Sequence, residues 1–107
     1  MTGFGLLGHC TEMAEASDMT LELYPEQIEY MTEAIAYARM GLVPAGAYKN
    51  REFAAEGLDA GDIEEVYLDL ISDPQTSGGL LVSVPREELD CLLADFEAVG
   101  METKVSV

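Results

Sequence analysis

Basic residues are scarce in this chain: five Lys and Arg stand against 21 Asp and Glu among 107 residues, for a net charge of −16. Because phosphate contacts need Lys and Arg, this balance argues against binding to nucleic acid or to an anionic membrane surface. It also leaves few cations for a nucleotide, so metal ions or a basic partner would have to supply most of the positive charge around a phosphate substrate. For most of the carboxylates, a solvated acidic surface is the simpler explanation.

The sequence also lacks a long apolar run and has only two cysteines. No segment approaches the roughly 20 apolar residues of a membrane-spanning helix, and no basic segment followed by an apolar stretch indicates a secretion signal. We therefore expect a cytoplasmic protein without a membrane partner. Cys10 and Cys91 lie far apart and form no Cys-x-x-Cys pair. We expect both to be free, buried and small apolar side chains.

Glycine, proline and hydroxyl residues are concentrated in one stretch, SDPQTSGG at residues 72–79, which precedes the apolar run LLVSV. Pro74 fixes its own φ and favours extended geometry in the residue before it, whereas Gly78 and Gly79 accept positive φ. Such a loop can cradle an anion. From this stretch alone, however, a sharp turn into a buried strand is favoured. Gln75, Thr76 and Ser77 add side-chain hydrogen-bond donors to the loop.

Several segments have the apolar spacing of helices. Residues 2–17 are predicted to become helical after their first glycines, with Leu6, Cys10, Met13 and Ala14 on one face. Residues 62–71 favour a short helix, although a strand over 66–70 is the alternative. Two longer helices are predicted from Pro25 to about Met40 and from Pro85 to Val99, each followed by a glycine suited to a helix end, Gly41 and Gly100.

The remaining segments predict strands and one long loop. Residues 42–61 have no clear period and are interpreted as a loop with a short helical piece near residues 51–56. Strands are predicted at Thr20–Tyr24, at Gly79–Val84, which is apolar enough to be buried on both faces, and at Glu102–Val107. Because these strands alternate with helices, we expect one α+β domain over residues 1–107, a mixed β-sheet with helices packed on its faces.

A glycine pattern near the start matches a nucleotide-binding fingerprint literally. Gly3-x-Gly5-x-x-Gly8 has the dinucleotide spacing, and Glu22 stands 19 residues after Gly3. The fingerprint also requires a strand immediately before its first glycine, and two residues leave no room for one. A tight turn and a close-packed helix start are therefore favoured. His9 is similarly interpreted as a helix-surface or core residue rather than a ligand or base.

TGFGLLGH at residues 2–9 and SDPQTSGGLL at residues 72–81, taken together, resemble the C-terminal domain of selenide, water dikinase, also called selenophosphate synthetase. GLVPAG at residues 41–46 and Asn50-Arg51 also look like features of that family. The resemblance implies the fold of the aminoimidazole ribonucleotide synthetase superfamily, whose C-terminal half is a mixed sheet with helices on its faces. It also implies a parent enzyme that uses ATP, magnesium, selenide and water to make selenophosphate, AMP and phosphate.

The resemblance further implies that both blocks line a cleft between two domains. In the family, Asp-Val precedes the first block, and that aspartate looks like a magnesium ligand; here Met1 stands at the valine position. The family's reactive cysteine or selenocysteine lies in an N-terminal domain, and Cys10 does not match it. We therefore expect no catalytic residue, metal ligand or bound cofactor in this chain. We expect its own N-terminal domain as partner, in a homodimeric full-length enzyme, and no activity from the chain alone.

The residues expected to line this cleft come from the two blocks. They are Thr2, Gly3, Gly5, Asp73, Gln75, Thr76, Ser77, Gly78 and Gly79.

Two other functions stay open. A different enzyme of the superfamily, such as thiamine-monophosphate kinase or a hydrogenase maturation factor, would share the fold, although the QTSGG loop argues against it. An acidic interaction module without catalytic activity would use the glycine blocks merely as turns.

Overall fold

The computed structural model of the chain describes residues 1–101. Its regular structure is helical, and two short 3-10 turns, Pro25–Gln27 and Arg86–Glu88, lie between the α-helices. No helix within residues 1–101 is long and apolar enough to cross a membrane. The α-helices are α1 (Gly5–Ser17), α2 (Ala34–Arg39), α3 (Ala45–Ala54), α4 (Glu65–Ser72) and α5 (Leu89–Ala98).

The core lies where α1, α3 and α4 pack against one another, with α2 on the outer side of α4. Leu7, Ala54 and Ile71 form its buried centre. On α3, Ala47 and Ala54 are buried, so this helix approaches its neighbours through small side chains. Close packing of small residues lets two helix backbones lie near each other, and this brings the loop after α4 against the start of α3.

Arg51 links α3 to α4 on the outer side of this core. Its Nη1 donates to Asp69 Oδ1 at 2.8 Å and to Glu65 Oε1 at 3.2 Å. Burial lowers the pKa of Arg51, but the hydrogen bonds and charges of the two carboxylates outweigh it and raise the pKa above its ordinary value. The guanidinium therefore stays charged and holds α3 and α4 in register.

The predicted α+β class with a mixed β-sheet is wrong for the part of the chain that the structure describes. Thr20–Tyr24 and Gly79–Val84 have no regular secondary structure, and residues 1–101 contain no strand. Within the alternating apolar and polar residues 20–24, Leu23 packs against the helical core and not against a neighbouring strand. An apolar run becomes a strand only where a neighbouring strand pairs with its backbone, and the described residues supply no such neighbour. The third predicted strand, Glu102–Val107, lies outside the described residues.

The predicted helix from Pro25 to Met40 is wrong in its length. It divides into the 3-10 turn at Pro25–Gln27 and the short helix α2. Its predicted end is confirmed: Gly41 has φ 75°, its N–H donates to Ala38 O at 2.9 Å, and Leu42 N–H donates to Tyr37 O at 3.0 Å. Glycine ends helices in this left-handed conformation without steric cost.

The predicted loop over residues 42–61 is also wrong, because α3 occupies half of it. The short helical piece expected near residues 51–56 is instead a ten-residue helix that begins at Ala45. Periodicity of large apolar residues could not reveal it, since its buried positions are Ala47, Asn50 and Ala54. Gly46 lies within this helix, and a Cβ there would lie 2.9 Å from Pro74 Cγ.

The other helices agree with the sequence patterns. Helix α1 confirms the segment after the first glycines, although Leu7 rather than Leu6 is fully buried, and α4 confirms a helix over the strand alternative. Helix α5 confirms a helix in the predicted segment from Pro85 to Val99, but it begins at Leu89, after the 3-10 turn. Leu89, Leu92, Leu93 and Phe96 are its half-buried residues. Among the described helices, α5 packs on the 3-10 turn just before it and not on the core.

Leu7→Ala and Leu80→Ala distinguish the observed core from the predicted buried strand. Leu7 is 4% exposed and Leu80 is 90% exposed. We expect Leu7→Ala to lower the free energy of unfolding by about 2–5 kcal/mol, because it leaves a cavity. Leu80→Ala should change it by less than about 0.5 kcal/mol. Urea unfolding followed by circular dichroism measures both, and a large loss for Leu80→Ala would restore the buried strand.

Candidate functional site

The two glycine-containing blocks meet in space. We call the place where residues 1–5 contact residues 72–79 the motif junction. Gln75 N–H donates to Thr2 O at 3.0 Å, and the Met1 amine donates to Gly79 O. Segments separated by most of the chain are thus joined through their main chains.

Asn50 bridges the two sides of the motif junction from α3. Its side-chain Nδ2 donates to Gly3 O and to Ser72 O, each at 2.8 Å. The residue is 6% exposed. A buried carbonyl without a hydrogen-bond partner is costly, so one amide group satisfies both segments and fixes the distance between them. Gly3 and Ser72 are held by the same nitrogen.

Gly5 makes the close approach between the blocks possible. It has φ 66°, and a Cβ on it would lie 2.8 Å from the Ser72 carbonyl carbon and oxygen. Both the dihedral angle and the space exclude other residues at this position. A Cβ on Gly78 would be similarly tight, at 2.9 Å from the Cβ atoms of Gln75 and Met1. A side chain at Gly5 or at Gly78 would therefore push the two blocks apart.

The rest of the loop presents polar groups at the surface. Thr76 and Ser77 are exposed, and within the described residues no hydrogen bond engages either side chain. Partial burial raises the pKa of Asp73, and a hydrogen bond from Gln75 Nε2 to its carboxylate works in the opposite direction. Asp73 therefore faces the loop interior, whereas the two hydroxyls are free to meet a ligand. Gly79 follows them, beside the Met1 side chain.

A chain of side-chain hydrogen bonds lies beside the junction. His9 Nε2 is 3.2 Å from Thr2 N and 3.0 Å from Thr2 Oγ1, and His9 Nδ1 is 2.9 Å from Glu12 Oε2. His9 is interpreted from the sequence as a helix-surface or core residue; it lies half-buried on α1, and its ring contacts Thr2 at the other end of the first block.

A shallow depression of about 490 Å³ opens beside the junction, and Thr2, Gly3 and Asn50 form part of its wall. Phe4 and Phe53 stack in parallel along it, with ring centroids 5.6 Å apart and planes 2° apart. Lys49 also lines this depression and brings a positive charge to its rim.

Metal ligands and a reactive thiol are not gathered here. Residues 1–101 contain no group of three or more His, Cys, Asp and Glu side chains that could hold a metal ion. Cys10 is buried and free, and burial raises the pKa of its thiol, so it is a poor nucleophile. Cys91 is free as well, but it is exposed, so the prediction of two buried cysteines is wrong for that residue.

Seven of the nine residues predicted to line a cleft take part in the contacts of the motif junction: Thr2, Gly3, Gly5, Asp73, Gln75, Gly78 and Gly79. Thr76 and Ser77 lie in the loop between them, and contact of all nine with a substrate stays a prediction. Reasoning from the sequence did not include Lys49, Asn50 and Phe53 among the site residues. Asn50 was noted as part of a resemblance, but its role depends on α3, which was predicted as loop. The sequence around Asn50 gave no signal of its role, because its neighbours Lys49 and Arg51 are charged and do not indicate a buried amide.

Comparison with known proteins places the chain in a family. A family model described as "AIR synthase related protein, C-terminal domain" matches residues 1–107. The chain belongs to this family. The membership agrees with the resemblance in the two blocks, whereas the mixed sheet expected from it is not seen within residues 1–101.

The curated proteins that the chain is similar to include selenide, water dikinases. Selenide, water dikinase 2 of Peptoclostridium acidaminophilum is 45% identical over 100 residues, which cover 94% of the chain and 29% of the relative. The enzyme of Clostridioides difficile (strain 630) is 43% identical over 107 residues, 98% of the chain and 31% of the relative. That of Campylobacter jejuni (strain RM1221) is 48% identical over 93 residues, 86% of the chain and 26% of the relative. The chain thus spans less than a third of each relative's length.

Gly5→Ala tests the close approach at the junction. A Cβ there meets the Ser72 main chain and a left-handed backbone, so we expect at least about 2 kcal/mol of lost stability. Gly3→Ala is the matched control, because nothing lies within 4 Å of its Cβ position and its φ is not positive. It should change stability by less than about 0.5 kcal/mol. Equal losses in thermal unfolding of the two variants would contradict the described contact.

Asn50→Ala tests the bridge from α3. The change leaves two main-chain carbonyls without their donor, and we expect a loss of about 2–4 kcal/mol in the free energy of unfolding. Lys49→Ala, on the exposed side of the same helix turn, should cost less than about 0.5 kcal/mol. Chemical denaturation compares the variants; similar midpoints for both would show that the bridge does not hold the junction.

Proposed function

We propose that residues 1–107 form a single domain, the C-terminal domain of a selenide, water dikinase, and that the motif junction is one wall of that enzyme's interdomain cleft. The observation that carries the proposal is the joining of the two blocks through Asn50, at 2.8 Å on each side. Similarity to selenide, water dikinases over nearly the whole chain supports it. The parent enzyme would convert ATP, selenide and water into selenophosphate, AMP and phosphate.

In such an enzyme, the side chains of this domain would orient the reacting groups and would not themselves react. Phosphoryl transfer depends on orienting the reacting groups and on neutralising their charge. The exposed Thr76 and Ser77 hydroxyls offer hydrogen bonds from a loop whose base is fixed by Gln75 and Asn50. Lys49 supplies one positive charge at the rim of the neighbouring depression. These groups can bind and orient an anionic group at the wall of the cleft.

The described residues do not fit a magnesium site, because they bring no three suitable ligands together. A triphosphate would also need more positive charge than Lys49 alone provides, in a chain of net charge −16. We therefore assign ATP and magnesium to the parent enzyme and not to this domain alone. The separate N-terminal domain would supply the reactive group and metal ligands, in a homodimeric cytoplasmic enzyme that binds neither nucleic acid nor membrane.

A chimeric enzyme tests the proposal. Residues 1–107 replace the matching C-terminal segment of selenide, water dikinase 2 from P. acidaminophilum, which is 45% identical to them. We expect selenide-dependent formation of AMP from ATP by the chimera and none by the isolated chain. A folded chimera without this activity, beside an active parent, would contradict the proposal. Release of ADP that depends on thiamine monophosphate would favour a kinase of the same superfamily.

Thr76→Ala and Ser77→Ala in the chimera test the loop itself. Both side chains are exposed, so folding should be unaffected, and a lost hydrogen bond to the reacting group should lower kcat/KM by about ten- to a hundred-fold. Ser83→Ala, a hydroxyl deletion at another exposed position, should leave the rate unchanged. If all three variants match the chimera, the loop is merely a turn, as in an interaction module.

A further inference from the structure

His9, the last residue of the first block, contacts Thr2, whose main chain also joins the second block. Thr2 N–H donates to His9 Nε2 at 3.2 Å, and Thr2 Oγ1 lies 3.0 Å from the same nitrogen. Thr2 O accepts from Gly5 N–H and Gln75 N–H, each at 3.0 Å. Every polar group of Thr2 is therefore engaged, and its side chain is oriented by His9.

We propose that His9, held by Glu12, is a positioning residue that fixes the direction of the Thr2 hydroxyl at the wall of the cleft. The proposal rests on the proposed function, because it assumes that Thr2 faces the reacting groups. It deepens that function by assigning a task to a conspicuous side chain that sequence patterns left as a surface or core residue.

The geometry assigns the tautomer of His9. A main-chain N–H can only donate, so Nε2, which receives Thr2 N–H, carries no proton in the neutral ring. The ring proton then lies on Nδ1 and is donated to the Glu12 carboxylate at 2.9 Å. A carboxylate that binds one imidazole nitrogen sets the tautomer and orientation of the ring in this way. Glu12 thus makes Nε2 an acceptor directed at Thr2.

The ring is also fixed on its apolar side. Phe4 packs edge-on against it, with centroids 5.9 Å apart and planes at 62°. A second depression of about 290 Å³, with Met13, Leu80 and Leu81 in its wall, opens beside Thr2 and His9. Because Nε2 is already occupied by Thr2, the ring is suited to orient the hydroxyl rather than to accept a proton from substrate. Its role is positional.

The tautomer is measurable on the 107-residue chain, because His9 is its only histidine. Two-bond ¹H–¹⁵N correlation spectra of the imidazole distinguish a protonated Nδ1 from a protonated Nε2. We expect Nδ1–H in the neutral ring, and a weaker preference for it in Glu12→Ala, where only the Thr2 N–H still favours it. A protonated Nε2 in the neutral ring would overturn the assignment, and with it the proposal.

Kinetics of the chimera test the positional role. In His9→Gln the side-chain oxygen can take the place of Nε2 as acceptor for Thr2, whereas His9→Leu removes the acceptor and keeps an apolar side chain. We expect His9→Leu to lower kcat by about ten- to a hundred-fold through misorientation. The KM for ATP should stay within about two-fold, because a misoriented hydroxyl slows the chemical step and leaves the groups that bind ATP in place. His9→Gln should recover much of the loss.

The control and the contrary outcomes separate this proposal from the function on which it rests. Glu15→Gln, an exposed carboxylate further along α1, should leave both constants unchanged. An inactive chimera would contradict the proposed function. An active chimera in which His9→Leu keeps the full kcat, or in which His9→Gln is no better than His9→Leu, would overturn the role of His9. Circular dichroism verifies that each variant is folded.

Discussion

The side-chain amide of Asn50 holds the two glycine-containing blocks together, and the rest of the described structure places them within its reach. It donates to one carbonyl in each block, from a buried position on α3. For that bond pair to form, α3 must lie against both α1 and α4, and the main chain at Gly5 must approach Ser72 within the space of a missing Cβ. The helical core, the glycine and the amide therefore depend on one another. Loss of any one of them leaves the carbonyl of the buried Ser72 without its donor, which is a large cost for a small domain.

Small residues allow the helices and the two blocks to pack this closely. They also explain which predictions from the sequence were right and which were wrong. The joining of two distant blocks could be predicted, because their composition is unusual and their order resembles one family. Helix α3 could not, because its buried residues are alanine and asparagine rather than large apolar side chains. Apolar periodicity reports faces that bury bulk. It does not detect a helix such as α3, which buries small side chains and so lets its backbone approach its neighbours closely. Because α3 was not predicted, the bridging role of Asn50 was not predicted either.

The strand predictions failed for a different physical reason. A strand is stabilised by a neighbour, so alternation in Thr20–Tyr24 and apolarity in Gly79–Val84 are local properties that do not supply the partner. Helix ends, by contrast, are local and could be predicted from single glycines. Gly41 and Gly100 have φ 75° and 67°, and the residue after each donates back to the last turn of its helix. Sequence patterns were reliable where the interaction itself is local.

Charge distribution shows what the motif junction can contribute to a phosphoryl-transfer enzyme. Arg51 is engaged by Asp69 and Glu65, and Arg39 by Glu64, so these cations stabilise the helical packing. Lys49 is the basic residue that lines the depression beside the junction. A wall with one cation and a net charge of −16 behind it cannot neutralise a polyphosphate. It can hold hydroxyls and main-chain groups at fixed positions, since they are anchored by Asn50 and His9. In the proposed enzyme the positive charge must therefore come from outside this domain, while the domain supplies orientation, which is the other requirement of phosphoryl transfer.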